Sequence, residues 1–197
     1  MEITSKVAKL VISNAKIILD SYNTMFDIDN NLYNYIIDRI KKRVDNISDN
    51  KEWWMEKDSF GPQNWPSADS NYLVYYELAW WKEKDLWSML NASGTDGKGM
   101  GLALVVEPSL LKNTDYAIAL NTFFTDHEQK LSGARLISCY GKKKSYLVFP
   151  FKAVNLEELA ASYPDWDDAM AEVIDDAFNR LIDAHSTIDR FVRKLGK

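Results

Sequence analysis

Cysteine is nearly missing from this chain. Cys139 stands alone, so no disulfide can form within the chain and no thiolate cage for zinc can be built from it. Histidine is almost as scarce, with His127 and His185 only, which leaves little for imidazole-based metal or proton chemistry. Proline is rare too, at five residues, and 46% hydrophobic with 27% charged residues is globular composition, poor in the features of a disordered chain. No apolar run approaches the eighteen or so uninterrupted residues that a membrane span needs. The opening stretch shows no basic segment followed by an apolar one, because Lys6, Lys9, Asn14 and Lys16 interrupt it. Basic residues are outnumbered, 24 against 29 acidic, for a net charge of −5, which disfavours general affinity for nucleic-acid backbones. A reducing cytoplasm is the expected location, with no membrane association.

What is present is periodicity. Ile3, Val7, Leu10, Val11, Ile17, Ile18, Tyr22 and Met25 recur at helical spacings, and Leu32, Ile36, Ile40, Val44 and Ile47 follow after Asp27 and Asp29, residue types that cap helices. The spacing predicts a helical hairpin over 1–50. Gly61, Pro62 and Pro66 then mark 51–71 as an irregular connection. From 72 to 152 the chain is rich in β-branched and aromatic residues, with strand-like segments at 71–81, 101–107, 115–124, 134–140 and 145–151. The links between them are too short for helical crossovers, so an antiparallel meander of about four or five strands is expected, with Pro150 at a strand end or edge. Residues 155–195 return to helical spacing, most clearly at Met170, Ile174, Phe178, Leu181, His185, Ile188 and Val192. The order predicts one α+β domain over 1–197, with N-terminal and C-terminal helices packed on an antiparallel sheet.

Residues 94–101, "GTDGKGMG", hold four of the eight glycines and suggest a phosphate loop. The expected order is against it. A phosphate cradle lies where a strand feeds a helix N-terminus, whereas this loop would leave a short helix and enter a strand, and no Ser or Thr follows Lys98. Gly94 suits a helix-ending position of positive φ, and the remaining glycines suit a turn or strand start. No cofactor is called for.

Catalytic groups are sparse. Asp115 followed by Glu128-x-Lys130 resembles the skeleton of the PD-(D/E)XK nucleases, in which two carboxylates hold a metal ion and the lysine assists the attacking water. In that family the Glu and Lys lie on an apolar strand, whereas Glu128 sits in a polar stretch that reads as a hairpin turn. No metal ligands are assigned, and His185 reads as a hydrogen-bonded core residue.

Two features remain. Ten aromatic residues crowd into 53–87, and the loop residues Trp53, Trp54 and Trp65 are expected to be the exposed ones. Trp81, adjacent to Trp80, is a further candidate, since neighbours on a strand point to opposite faces. Between Glu157 and Asp183 nine carboxylates face Arg180 alone, and Glu172, Asp175 and Asp176 are expected to project into water as a docking face. The reading is a non-enzymatic cytoplasmic binding protein whose partner is another protein, docked through the acidic helix and the aromatic region. The alternatives are a divergent nuclease of the type above and an acidic mimic of DNA that inhibits a nucleic-acid-binding protein. Oligomeric state stays open.

Overall fold

A computed structural model describes residues 13–47, 52–68, 71–81, 90, 99–107, 110, 116–138 and 145–195. The first described element is one helix, α1 (Ala15–Ile47), which continues through 26–31 where the expected hairpin would turn, while residues 1–12 of that expected hairpin lie outside the described residues. The reason is visible in its apolar stripe. Tyr22, Met25, Leu32 and Ile36 keep one helical phase through the polar stretch 27–31, and no glycine or proline interrupts it. Asp27 and Asp29 therefore lie within the helix.

The stretch expected to be irregular forms strands. β1 (Trp53–Glu56) turns through Lys57 and Asp58 into β2 (Ser59–Pro62), and β3 (Ser67–Ala68) pairs with β4 (Asn71–Tyr72). Long strands β5 (Val74–Trp81) and β6 (Gly99–Val106) follow. The segment expected as a strand over 115–124 is instead helix α2 (Tyr116–His127), which leads into a 3₁₀ turn at Glu128–Lys130. Leu120, Phe123 and His127 share one side of it, and the first two are buried. Then come β7 (Arg135–Ser138), β8 (Ser145–Pro150), a short helix α3 (Leu156–Ala161) and the long α4 (Asp167–Leu195).

The main sheet has the order β1-β2-β5-β6-β8-β7, and every neighbouring pair is antiparallel. The α+β class stands, with N-terminal and C-terminal helices packed together on one face of an antiparallel sheet. Strand order leaves the meander once. After β6 the chain passes through α2 to the edge strand β7, and β8 returns to fill the place between them. Pro150 ends its strand as expected, and its carbonyl accepts a hydrogen bond from Arg180 Nη2 at 2.6 Å.

Side-chain alternation gives the sheet two faces. Val74, Tyr76 and Leu78 on β5, Met100, Leu102 and Leu104 on β6, and Leu147 and Phe149 on β8 join Leu32, Ile36 and Ile40 of α1 and Ile174, Phe178 and Ile188 of α4 in one core. The opposite face carries a smaller cluster of Trp81, Ala103 and Val148. The stripe read on α4 is buried as its period required, except that His185 is only partly buried. Helices α1 and α4 run parallel. Tyr35 meets Asp167, Arg39 meets Asp175 and Arg43 meets Asn179, so the numbers rise together. Asp167 begins α4, so most of α1 before Leu32 lies beyond the start of its neighbour, and every described side chain of residues 15–27 is exposed.

Candidate functional site

Strand parity places the site. On β1, Trp53 and Met55 turn toward the helices, so Trp54 and Glu56 stand on the other face. Tyr75 on β5 and Glu107, just past β6, share that face, and β4 brings Tyr72 alongside. Together with the Lys57–Asp58 turn they line a cleft of about 510 Å³. The indole of Trp54 stacks on the Tyr72 ring, with centroids 4.0 Å apart and planes 9° from parallel. Its Nε1–H is buried without a hydrogen-bond partner among the described residues.

The field in the cleft is negative. Glu56, Asp58 and Glu107 outnumber Lys57 there. The Tyr75 hydroxyl donates to Glu107 Oε1 at 3.5 Å, and its pKa is pushed up to about 12 by burial first and then by the charges of Glu77 and Glu107. Burial penalises charge of either sign, so only the part of the shift caused by Glu77 and Glu107 reflects the negative field. Lys57 holds a positive φ of 54°, a conformation that costs a side-chain-bearing residue on the order of 1 kcal/mol, at the tip of the hairpin that walls the cleft.

The candidates from sequence disperse. Trp53 is half-buried, stacked on Tyr76 and against His185. Trp65, expected to be exposed, is buried, because the turn after Pro62 drives its indole into the core, where Nε1 donates to Asp189 Oδ1 at 2.9 Å. Trp81 is buried beside Ala103 and Val148 on the face opposite α1 and α4, and the exposed member of that pair is Trp80, whose ring stands edge-on to Tyr33. Of the four tryptophans singled out, only Trp54 lines the cleft.

The acidic face also changes. Asp175 does not project into water, since Arg39 grips it through Nε at 3.1 Å and Nη2 at 2.5 Å, with Arg43 at 3.8 Å. Asp176 pairs with Arg180 at 2.9 Å and Lys152 at 3.2 Å. Despite the opposing effect of burial, those partners lower its pKa below the usual carboxylate value. Glu172 remains exposed. Asp175 meets basic residues of α1 and Asp176 meets Lys152 beyond β8, partners remote in sequence, while Arg180 reaches Asp176 from one turn along α4 itself.

Asp115 lies outside the described residues, as do Gly94 and Lys98. Glu128 and Lys130 are exposed on the turn after α2 rather than on a strand. Among the described residues no group of three or more His, Cys, Asp and Glu is arranged to hold a metal ion. His127 borders a second cavity of about 480 Å³ between α2 and the end of α4, where Ile118, Phe123 and Phe191 lie beside Arg190 and Lys194.

The remaining polar group of note is internal. The Tyr76 hydroxyl lies 3.1 Å from His185 Nδ1 beneath Trp53 and Trp65. Burial holds the Tyr76 proton in place and lowers the His185 pKa below 6.5. The phenol keeps its proton beside a neutral imidazole, and the imidazole tautomer sets which of the two donates across the contact.

Tyr72, Tyr75, Glu56, Asp58 and Glu107 were not singled out as site residues. Their one signal in sequence is the i, i+2 pair Trp54 and Glu56, readable only once that segment is known to be a strand. Among the described residues no helix is long and apolar enough to cross a membrane. No protein-family model matches the chain, and neither a curated protein nor a solved structure is significantly similar to it.

Proposed function

We propose that this is a non-enzymatic cytoplasmic binding protein, and that the Trp54 cleft receives a basic side chain of a protein partner. The observation that carries the reading is the pairing of stacked aromatic rings with an excess of carboxylates in one concave site. A cation over an aromatic face gains about 0.5–1 kcal/mol when exposed and about 2 kcal/mol when desolvated. Nearby carboxylates add attraction that salt screens over roughly 8–10 Å. A guanidinium suits the site best, since it stacks flat on a ring while its N–H groups reach a carboxylate such as Glu107. The exposed Glu172 supports the wider expectation of a basic partner, whereas Asp175 and Asp176 are already engaged within the fold.

The test is a titration with a short arginine-containing peptide, followed by NMR at the Trp54 indole N–H. A saturable shift is expected, weakened by salt and lost in Trp54→Ala and in Glu107→Gln. Glu128→Ala should leave it unchanged. An indole resonance that stays still up to about 10 mM peptide, where even millimolar affinity would register, sinks the reading. Metal-dependent cleavage of DNA or RNA that disappears in Glu128→Ala would favour the nuclease alternative instead.

A further inference from the structure

The cavity between α2 and the end of α4 shares no residue with the Trp54 cleft. Positions 118, 122 and 126 of α2 and 187, 190 and 194 of α4 recur at steps of three and four, so one face of each helix walls it. Part of the wall is apolar. Phe123 and Phe191 stack there with centroids 4.3 Å apart and planes 17° from parallel, and Ile118 is 63% exposed on the same lining.

The polar part is cationic. Helix α4 carries four basic side chains, Arg180, Arg190, Arg193 and Lys194. Arg180 pairs with Asp176 and Arg193 with Asp189, whereas Arg190 and Lys194 have no carboxylate partner among the described residues. The two without a partner are the two that line the cavity. They also stand four residues apart, where like charges are neighbours on a helix and repel. Arg190 is tethered, since Nε donates to the Ser186 carbonyl at 3.3 Å and Nη2 to Thr187 Oγ1 at 3.4 Å. That engages two of the five N–H donors of a guanidinium and leaves three. Thr187, buried and itself on the lining, holds the group at the cavity wall.

We propose that this cavity is a second binding site, for a medium-chain aliphatic carboxylate whose head lies between Arg190 and Lys194 and whose tail lies against Ile118, Phe191 and Leu195. Charge selects the head. With histidine neutral, two cations against the single lining carboxylate Asp126 leave an excess of one positive charge, which one carboxylate matches. The lining selects the tail. Phe123 already has Phe191 and His127 against it, and Ile118, Ala119 and Leu195 supply branched or small aliphatic surface, which suits a flexible alkyl chain better than a flat ring. Size agrees as well. The α2 wall from 118 to 127 runs about 13–14 Å at 1.5 Å per residue. Ten carbons joined by bonds of about 1.5 Å in a zigzag extend roughly 11 Å. The volume of about 480 Å³ lies within the usual range of small-molecule sites, about 300–1,000 Å³.

Methyl NMR of the full chain titrated with sodium decanoate tests this. Saturable shifts are expected at the Ile118, Thr187 and Leu195 methyls, with a Kd of about 0.1–2 mM for a ligand of about twelve heavy atoms. The Trp54 indole N–H should stay still, which separates this site from the cleft. Arg190→Gln combined with Lys194→Gln should weaken binding by about tenfold or more, and both positions are exposed, so the fold should survive the change. Ile118→Glu, also at an exposed position, should weaken it similarly by setting a charge against the tail. Decyltrimethylammonium, with the same tail and the opposite head, should bind about tenfold more weakly or worse. Absence of saturable shifts up to about 20 mM decanoate overturns the proposal. So does a double variant that binds like the wild type, or a cation that binds as well as the acid. Shifts that reach Trp54 equally would mark general adsorption of alkyl chains and overturn it too.

Discussion

At the scale of the residue, the most consequential contact is the one between Tyr76 and His185. Protonation of the imidazole would place a charge among Trp53, Trp65 and Tyr76, away from water. Burial accordingly depresses the His185 pKa, Asp189 draws it back up and Arg193 lowers it again. In the unfolded chain the group titrates near its ordinary 6.5. Between the two values the unfolded state binds more protons, so this contribution to stability is present above 6.5 and is lost as pH falls through and below it. Chemical unfolding at stepped pH should show stability declining from about pH 7 toward about pH 5, and His185→Gln should flatten that slope. A wild-type slope unchanged in the variant would place the titration elsewhere.

At the scale of the element, charge and packing divide their work on α4. Asp175 and Arg39 are each about a quarter exposed, so Asp175→Asn should cost about 1 kcal/mol or less despite the two-point grip of the guanidinium. Phe178 is wholly buried between Phe60 and Arg43, and Phe178→Ala should cost about 3 kcal/mol or more by leaving a cavity. Urea unfolding of both variants decides it. A larger loss in Asp175→Asn would show that the ion pair, rather than the apolar stripe, holds α1 to α4. Elements differed in how well their sequences declared them. The stripe of α4 was legible because a long period has no rival reading. Residues 115–124 were misread because Tyr, Ile, Thr and Phe favour strands, and the helical triad Leu120, Phe123 and His127 is too short to outvote them. The β1–β2 hairpin was missed because its turn, Lys57–Asp58, lacks the Asn-Gly chemistry that announces one.

At the scale of the whole molecule, class was readable and connectivity was not. Apart from α2, helix and strand types segregate along the described chain, which composition reveals. The insertion of β8 between β6 and β7 depends on pairings that no local pattern encodes. The same is true of the cleft, since Trp54, Tyr75 and Glu107 meet only through the strand register and Tyr72 only through the neighbouring β3–β4 turn. One residue in that register is decisive. A Cβ on Gly101 would stand 2.3 Å from the Phe149 carbonyl oxygen and 2.8 Å from Pro150 Cα, so the closest approach of β6 and β8 requires glycine there. Gly101→Ala should destabilise by about 2 kcal/mol or more in thermal or urea unfolding, and a neutral result would mean that the two strands can part without loss.

The late return of β8 also bears on how the chain is made. All eight residues of β6 are buried in the finished sheet, and the strand that fills one of its sides, residues 145–150, is synthesised about forty residues later. At roughly 5–20 residues per second, a nascent chain would carry that bare hydrophobic edge for several seconds, with only β5 on its other side. An unpaired edge of that kind is a template for neighbouring chains on the same message. The exposure ends when the β7–β8 hairpin docks, so the period of greatest aggregation hazard closes only after residues 145–150 have been made.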